Sequence, residues 1–183
     1  MSPITARVSS PDHRLALYTV LSSLHKTPLT VRSLTSGLLL LLSKEINDNF
    51  LSKGIQAFSS YIPILLSTET EPELFNKIIT VIMSGINSAK LPVRRSWALG
   101  LGNIVWDAGE DASIKLRTLV KKGLELLIGI TEKIAANPLA AGGAVEGYVC
   151  IVILERVKKW EDDEIGKYAK TSGERLHRFC GYR

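Results

Sequence analysis

The sequence predicts an all-α solenoid of antiparallel helical hairpins, on three observations. Apolar residues recur at three-and-four spacing along almost the whole chain, which gathers them on one face of a helix. The breaks between these runs carry helix-start and helix-stop chemistry rather than strand or hairpin signals. The runs also return in phase. Paired apolar positions four apart, Leu17 and Leu21, Leu51 and Ile55, Trp97 and Leu101, Val145 and Val149, align with offsets of 34, 46 and 48 residues. These scatter about the ~40–47 residues of HEAT or armadillo units, whereas a TPR array holds close to ~34. The expected architecture is therefore a HEAT-repeat (armadillo-like) α-solenoid of about seven to eight helices, residues 10–160, between a flexible start at 1–9 and a polar tail or incomplete helix at 161–183.

Each helix follows from local residues. Ser10 caps a helix opening at Pro11, because a proline in the first turn lacks an N–H that would have no partner there. That helix runs to about Leu24. A second covers about Leu29 to Lys44, and Asn47 or Asp48 opens a third, with Leu51, Ile55 and Phe58 on its apolar face, which Pro63 should kink or end early. Thr70-Glu71-Pro72-Glu73 has the form of a capping box before a fourth helix ending near Ile86. The fifth, Pro92 to about Ala108, has the form of the second helix of a HEAT hairpin. Val93 packs into the turn, Arg94 reaches back to carbonyls ending the preceding helix, and Trp97, Leu101 and Val105 form one stripe. Gly102 beside that stripe is expected to admit a neighbouring helix, at a cost of about 1 kcal/mol relative to Ala. A sixth helix spans roughly Asp111 to Ala135, and a seventh starts at Asn137-Pro138.

The phasing gives three hairpins, preceded by an inner helix without an outer partner, so both ends of the array look cut, as in a slice of a longer solenoid with further HEAT repeats. Of 183 residues 45% are hydrophobic, enough for a sizeable core. The net charge of +5 permits an acidic or nucleic-acid partner without requiring one. Two cysteines, Cys150 and Cys180, are too few for a disulfide framework and suit a reducing compartment, the cytosol or the nucleus. No uncharged run approaches the ~18 residues that span a bilayer. No secretory signal or Asn-X-Ser/Thr acceptor is present.

No catalytic constellation emerges, and neither a cofactor nor a metal is expected. His177 and Cys180 are three apart, but a closed zinc site wants four ligands. Cys150, between Val149 and Ile151, reads as core. The glycines at 100, 102, 142, 143 and 147 lack the strand and the Gly-Lys-Ser/Thr of a phosphate loop. Arg94 reads as a turn-bracing residue whose usual acidic partner in the preceding turn is absent, with Asn87 the nearest substitute. Charge on the sixth helix is the surface feature with functional promise. Lys115, Arg117, Lys121 and Lys122 present as two pairs, four and seven apart, able to contact phosphates, including those of rRNA. A solvated helix face is the competing reading, because no aromatic residue interleaves for base stacking.

Ser10 to Leu24, with His13-Arg14, Ala16-Leu17-Tyr18 and Leu21, together with Ser43-Lys44-Glu45 leading to Asn47, resembles the amino-terminal region of the general control non-derepressible protein one family. Pro92 to Val105 and Asn137-Pro138 are similar to it in order and spacing, so the resemblance covers about Ser10 to Lys159. It implies a non-enzymatic scaffold that binds ribosomes or their associated proteins in the cytoplasm and supports activation of the initiation factor two alpha kinase on amino-acid starvation. The family's kinase-binding region lies toward its carboxyl end and is not represented here. A segment of a nuclear transport receptor or of a tubulin-binding array is the alternative left open.

Overall fold

The computed structural model describes residues 10–24, 26–45, 47–67, 71–110, 112–137 and 144–160. Among these residues there are eight helices and no strand: α1 (Pro11–Ser23), α2 (Pro28–Leu42), α3 (Asp48–Ser59), α4 (Ile62–Ser67), α5 (Pro72–Ile86), α6 (Leu91–Ala108), α7 (Ile114–Ala135) and α8 (Ala144–Val157). Five of the starts place a proline in the first turn or at its edge: Pro11, Pro28, Pro63, Pro72 and Pro92.

The caps are partly those the sequence predicts. Asn47 caps α3, its Oδ1 accepting the N–H groups of Asn49 (3.0 Å) and Phe50 (3.3 Å). Thr27 caps α2 through the Thr30 N–H at 3.3 Å. Ser10 stands at the cap of α1, but only its carbonyl is used, by Arg14 N–H at 3.1 Å. Of the expected capping box, Glu71, Pro72 and Glu73 are described. Glu71 is the cap residue of α5 and makes no side-chain cap bond, and Glu73 binds Lys77 at 2.7 Å. Thr70 lies outside the described residues. α7 begins at Ile114 rather than near Asp111, because Ser113 supplies the cap: its Oγ accepts Leu116 N–H at 3.2 Å and donates to the Leu66 carbonyl at 2.6 Å. One hydroxyl thus starts α7 and ties it to α4.

Pro63 does end α3. Without an N–H it cannot bond back to the Ser59 carbonyl, and its ring would collide with that carbonyl. The chain turns at Ser60-Tyr61 and starts again as α4, with Pro63 in its first turn. This short extra helix lies against α2, α6 and α7. Tyr61 in the turn is 1% exposed and donates its hydroxyl to the Leu21 carbonyl, joining the turn to α1.

The architecture is two layers of packed helices. The inner layer runs α1, α3, α6, α8, each against the next, and α2, α5 and α7 back it as the outer partners in the hairpins α2–α3, α5–α6 and α7–α8. All eight residues of the in-phase column lie in the core or pack against it, with Leu17 and Val145 half-buried and the rest buried. This is the HEAT-like solenoid expected. Leu38, Leu39, Leu41 and Leu42 of the all-Leu run are buried, and Leu40 faces out. The start of the seventh predicted helix, Pro138 onward, falls outside the described residues until Ala144.

Trp97 stands where the layers meet. Its indole lies directly over Gly85 of α5, leaving no room for a side chain there, and meets the Phe58 ring of α3 edge-on at 5.9 Å. The close approach expected at Gly102 occurs two residues earlier, at Gly100. A Cβ at Gly100 would come within 2.6 Å of Ile55 Cγ2 and 2.8 Å of Ser59 Oγ, whereas one at Gly102 would meet Val149 Cγ1 at an ordinary 3.6 Å. Gly100 faces α3, and Gly102 only borders α8. At the end of α6, Gly109 has φ +71° and ψ −150°, a region essentially restricted to glycine. Its carbonyl accepts the indole N–H of the buried Trp160 at 2.9 Å.

The two glycines should therefore part company under the same substitution. Gly100→Ala is expected to destabilise the fold by about 1–3 kcal/mol through overpacking. Gly102→Ala is expected to be neutral or stabilising by up to about 1 kcal/mol through helix propensity. Urea unfolding followed by circular dichroism measures both, and equal losses would count against the packing described.

Candidate functional site

The four basic residues singled out in the sequence all lie in the first half of α7, on the outer layer. They are not equivalent. Lys122 is exposed, while Lys115, Arg117 and Lys121 are half-buried and each engages other groups. Arg117 donates Nε–H to the Ala112 carbonyl at 2.8 Å, bracing the loop that leads into its own helix. Part of this charge is therefore structural, and Lys122 is the member most open to a partner.

Arg94 has an acidic partner that the sequence did not reveal. Its Nε meets Glu146 Oε1 of α8 at 2.7 Å, and its NH1 reaches the Ser88 carbonyl of the preceding turn at 3.4 Å. The turn-bracing role holds, but through Ser88 rather than Asn87. The carboxylate comes from the next inner helix, fifty-two residues on. Glu146 is fully buried and Arg94 nearly so.

A second pair repeats the device. Arg14, also the fourth residue of an inner helix, binds Glu45 through Nε at 2.9 Å and NH2 at 3.4 Å. Glu45 also accepts the Tyr18 hydroxyl at 3.3 Å and the Asn47 N–H at 3.1 Å, so the carboxylate joins α1 to the start of α3. Burial first, then the neighbouring Glu45 charge and its hydrogen bond, push the Tyr18 phenol up to about 12 from its usual 10.0, against an opposing pull from Arg14. Burial likewise raises Tyr61. The signal for the shared device was in the sequence: Arg14-x-x-Leu17 and Arg94-x-x-Trp97 occupy equivalent repeat positions. The partners could not be paired from it, because one glutamate sits in a turn and the other on a helix.

The outer layer opens into a groove of about 770 Å³ between α2 and α5, with Leu29, Leu39, Leu40, Leu74 and Val81 among its walls. Its charged rim pairs with itself, Arg32 with Glu71 and Lys77 with Glu73. The Lys77 ammonium, through its hydrogen bond and then its charge, holds Glu73 below the usual carboxylate range. Exposed pairs of this kind contribute little to stability.

Cys150 is fully buried in the α8 core, as its apolar neighbours predict. His13 is exposed on α1, and His177 and Cys180 lie outside the described residues. Among the described residues no group of three or more His, Cys, Asp or Glu side chains could hold a metal ion, and no helix is long and apolar enough to cross a membrane.

Stacked hairpins whose buried charge serves the joints between repeats define a HEAT-type scaffold segment. The family model described as general control nonderepressible 1 (Gcn1) N-terminal matches residues 11–175. The chain belongs to the Gcn1 N-terminal family. The match runs past Lys159, where the resemblance read from the sequence stopped. No curated protein and no solved structure matches the chain.

Removing one member of the Arg94–Glu146 pair should cost far more than removing both. Arg94→Met takes the ion-pair partner from a buried carboxylate and is expected to cost about 3–5 kcal/mol. Adding Glu146→Leu should recover most of that loss, and a double-mutant cycle in urea measures the coupling. Tyr18 generates a prediction at alkaline pH. Its raised pKa adds stability that is complete below pH 10, where the unfolded phenol also keeps its proton, and is lost as pH climbs through about 12. Chemical melts from pH 9 to 12 should fall less steeply for Tyr18→Phe, and absorbance at 295 nm should show late-ionising phenols.

Proposed function

We propose that this chain is a scaffold segment of a translational activator: it associates with ribosomes or ribosome-bound proteins in the cytoplasm and supports activation of the initiation factor two alpha kinase during amino-acid starvation. Membership of the Gcn1 N-terminal family carries this reading. It favours a ribosomal partner over the nuclear transport and tubulin-binding alternatives. The solenoid fits a role in binding rather than chemistry, since stacked hairpins offer extended surfaces and their buried charge is committed to packing. In this reading residues 10–160 form the working unit, and 1–9 and 161–183 flank it.

The contact we assign to the α7 basic residues is with rRNA phosphate, led by Lys122. Three to four such contacts should weaken binding roughly 20- to 150-fold between about 50 and 200 mM salt. Co-sedimentation with purified ribosomes at the two salt concentrations tests this. Absence of the chain from the ribosomal pellet at both would reject ribosome association. Reversal of Lys115, Arg117, Lys121 and Lys122 to Glu should abolish a salt-sensitive fraction, with Lys122→Glu alone accounting for much of it. Undiminished pelleting of the four-fold variant would remove the α7 contact while leaving association intact.

A further inference from the structure

The inner layer turns a strip of large apolar side chains toward solvent, away from the outer helices. Leu99 is 49% exposed, and Trp106 and Tyr148 are each 66% exposed. Leu99, the exposed Asn103 and Trp106 recur at four and three residues, so they share one stripe of α6. α6 and α8 run parallel, because Arg94 meets Glu146 near their starts and Arg156 lies over Trp106 near their ends. In that register Tyr148 stands at the height of Leu99.

Arg156 gives the strip its chemistry. Its guanidinium lies 5.4 Å from the Trp106 ring centroid. The side chain is half-buried, and its Nε is enclosed without a hydrogen-bond acceptor. The adjacent Glu155 is taken by Lys158 at 2.5 Å. A cation partly removed from water, with an indole face as its main compensation, attracts a further anion. Trp, Tyr and Arg together are the composition of binding hot spots.

We propose that this strip binds an extended peptide segment in which an acidic side chain sits beside aliphatic or aromatic ones. The carboxylate pairs with Arg156, apolar side chains lie against Trp106, Leu99 and Tyr148, and the Asn103 amide bonds to the peptide backbone, offering it both donor and acceptor. The span from Leu99 to Trp106 is roughly 10 Å along the helix, the length of about three extended residues. A polynucleotide fits less well. Asp107 follows Trp106 and Glu155 precedes Arg156, both exposed, so a phosphate backbone meets like charge on either side. One indole face is also already covered by Arg156.

Intrinsic fluorescence reads this surface directly. Of three tryptophans, Trp97 and Trp160 are 4% and 2% exposed, so acrylamide quenching reports mainly on Trp106. A synthetic peptide of alternating Asp and Leu should protect Trp106 from acrylamide. Arg156→Gln and Leu99→Gln should each weaken that peptide by about tenfold or more, with thermal melts of the exposed-site Leu99→Gln variant unchanged. No protection by the Asp–Leu peptide, equal protection by a Lys–Leu peptide, stronger protection by oligouridylate, or undiminished binding in both variants would each overturn the proposal.

Discussion

The position of Trp97 over Gly85 is the constraint on which the rest of the solenoid depends. An indole can rest on a helix backbone only where no Cβ stands in the way, and that contact sets how closely α5 and α6 approach. The same ring meets Phe58 of α3, so one side chain fixes a hairpin and its neighbour together. Burying it removes about 150–250 Å² from water, an upper contribution of about 4–6 kcal/mol. Gly100 completes the arrangement by admitting Ile55 and Ser59 from α3. With α6 held on two sides, its remaining faces are left for α8 and for solvent.

Two ion pairs with buried carboxylates stand at the joints between inner helices. Arg14 with Glu45 and Arg94 with Glu146 each connect the first turn of an inner helix to the start of the next one. Desolvation offsets much of the Coulombic gain of such pairs, so their value lies less in net stability than in register. A helix that slid by one turn would part each arginine from its buried carboxylate. Tyr18, held by the same Glu45, adds a third group to the first joint. Trp160 does comparable work at the other end, tying the residues after α8 to the loop after α6 through Gly109.

Because the interior absorbs these arginines and glutamates, the two layers present different chemistry outside. The outer layer carries self-paired ions around an apolar groove and the partly committed basic side chains of α7. The inner layer carries the tryptophan, tyrosine and leucine strip with its stacked arginine. The two proposed contacts thus fall on different layers of one stack of helices. The family relationship, the basic outer helix and the aromatic inner strip therefore bear on separate contacts.

By itself the sequence determined where helices form, which faces they bury and the phase of the inner layer, since these depend on interactions within about four residues: apolar spacing, caps and proline geometry. Leu51 and Ile55, Trp97 and Leu101 announced the inner helices, Asn47 its cap, and Pro63 the end of α3. Tertiary structure decided what those faces meet. The restart of the chain as α4, the role of Gly100 in place of Gly102, and the union of Arg94 with Glu146 across fifty-two residues depend on how whole helices cross. So does the hydrogen bond from Arg117 to the Ala112 carbonyl, which spacing on a helix face does not reveal. Periodicity gives each residue an angle around its own helix. It does not give the distance to a residue on another helix, and packing and ion pairing are decided by that distance.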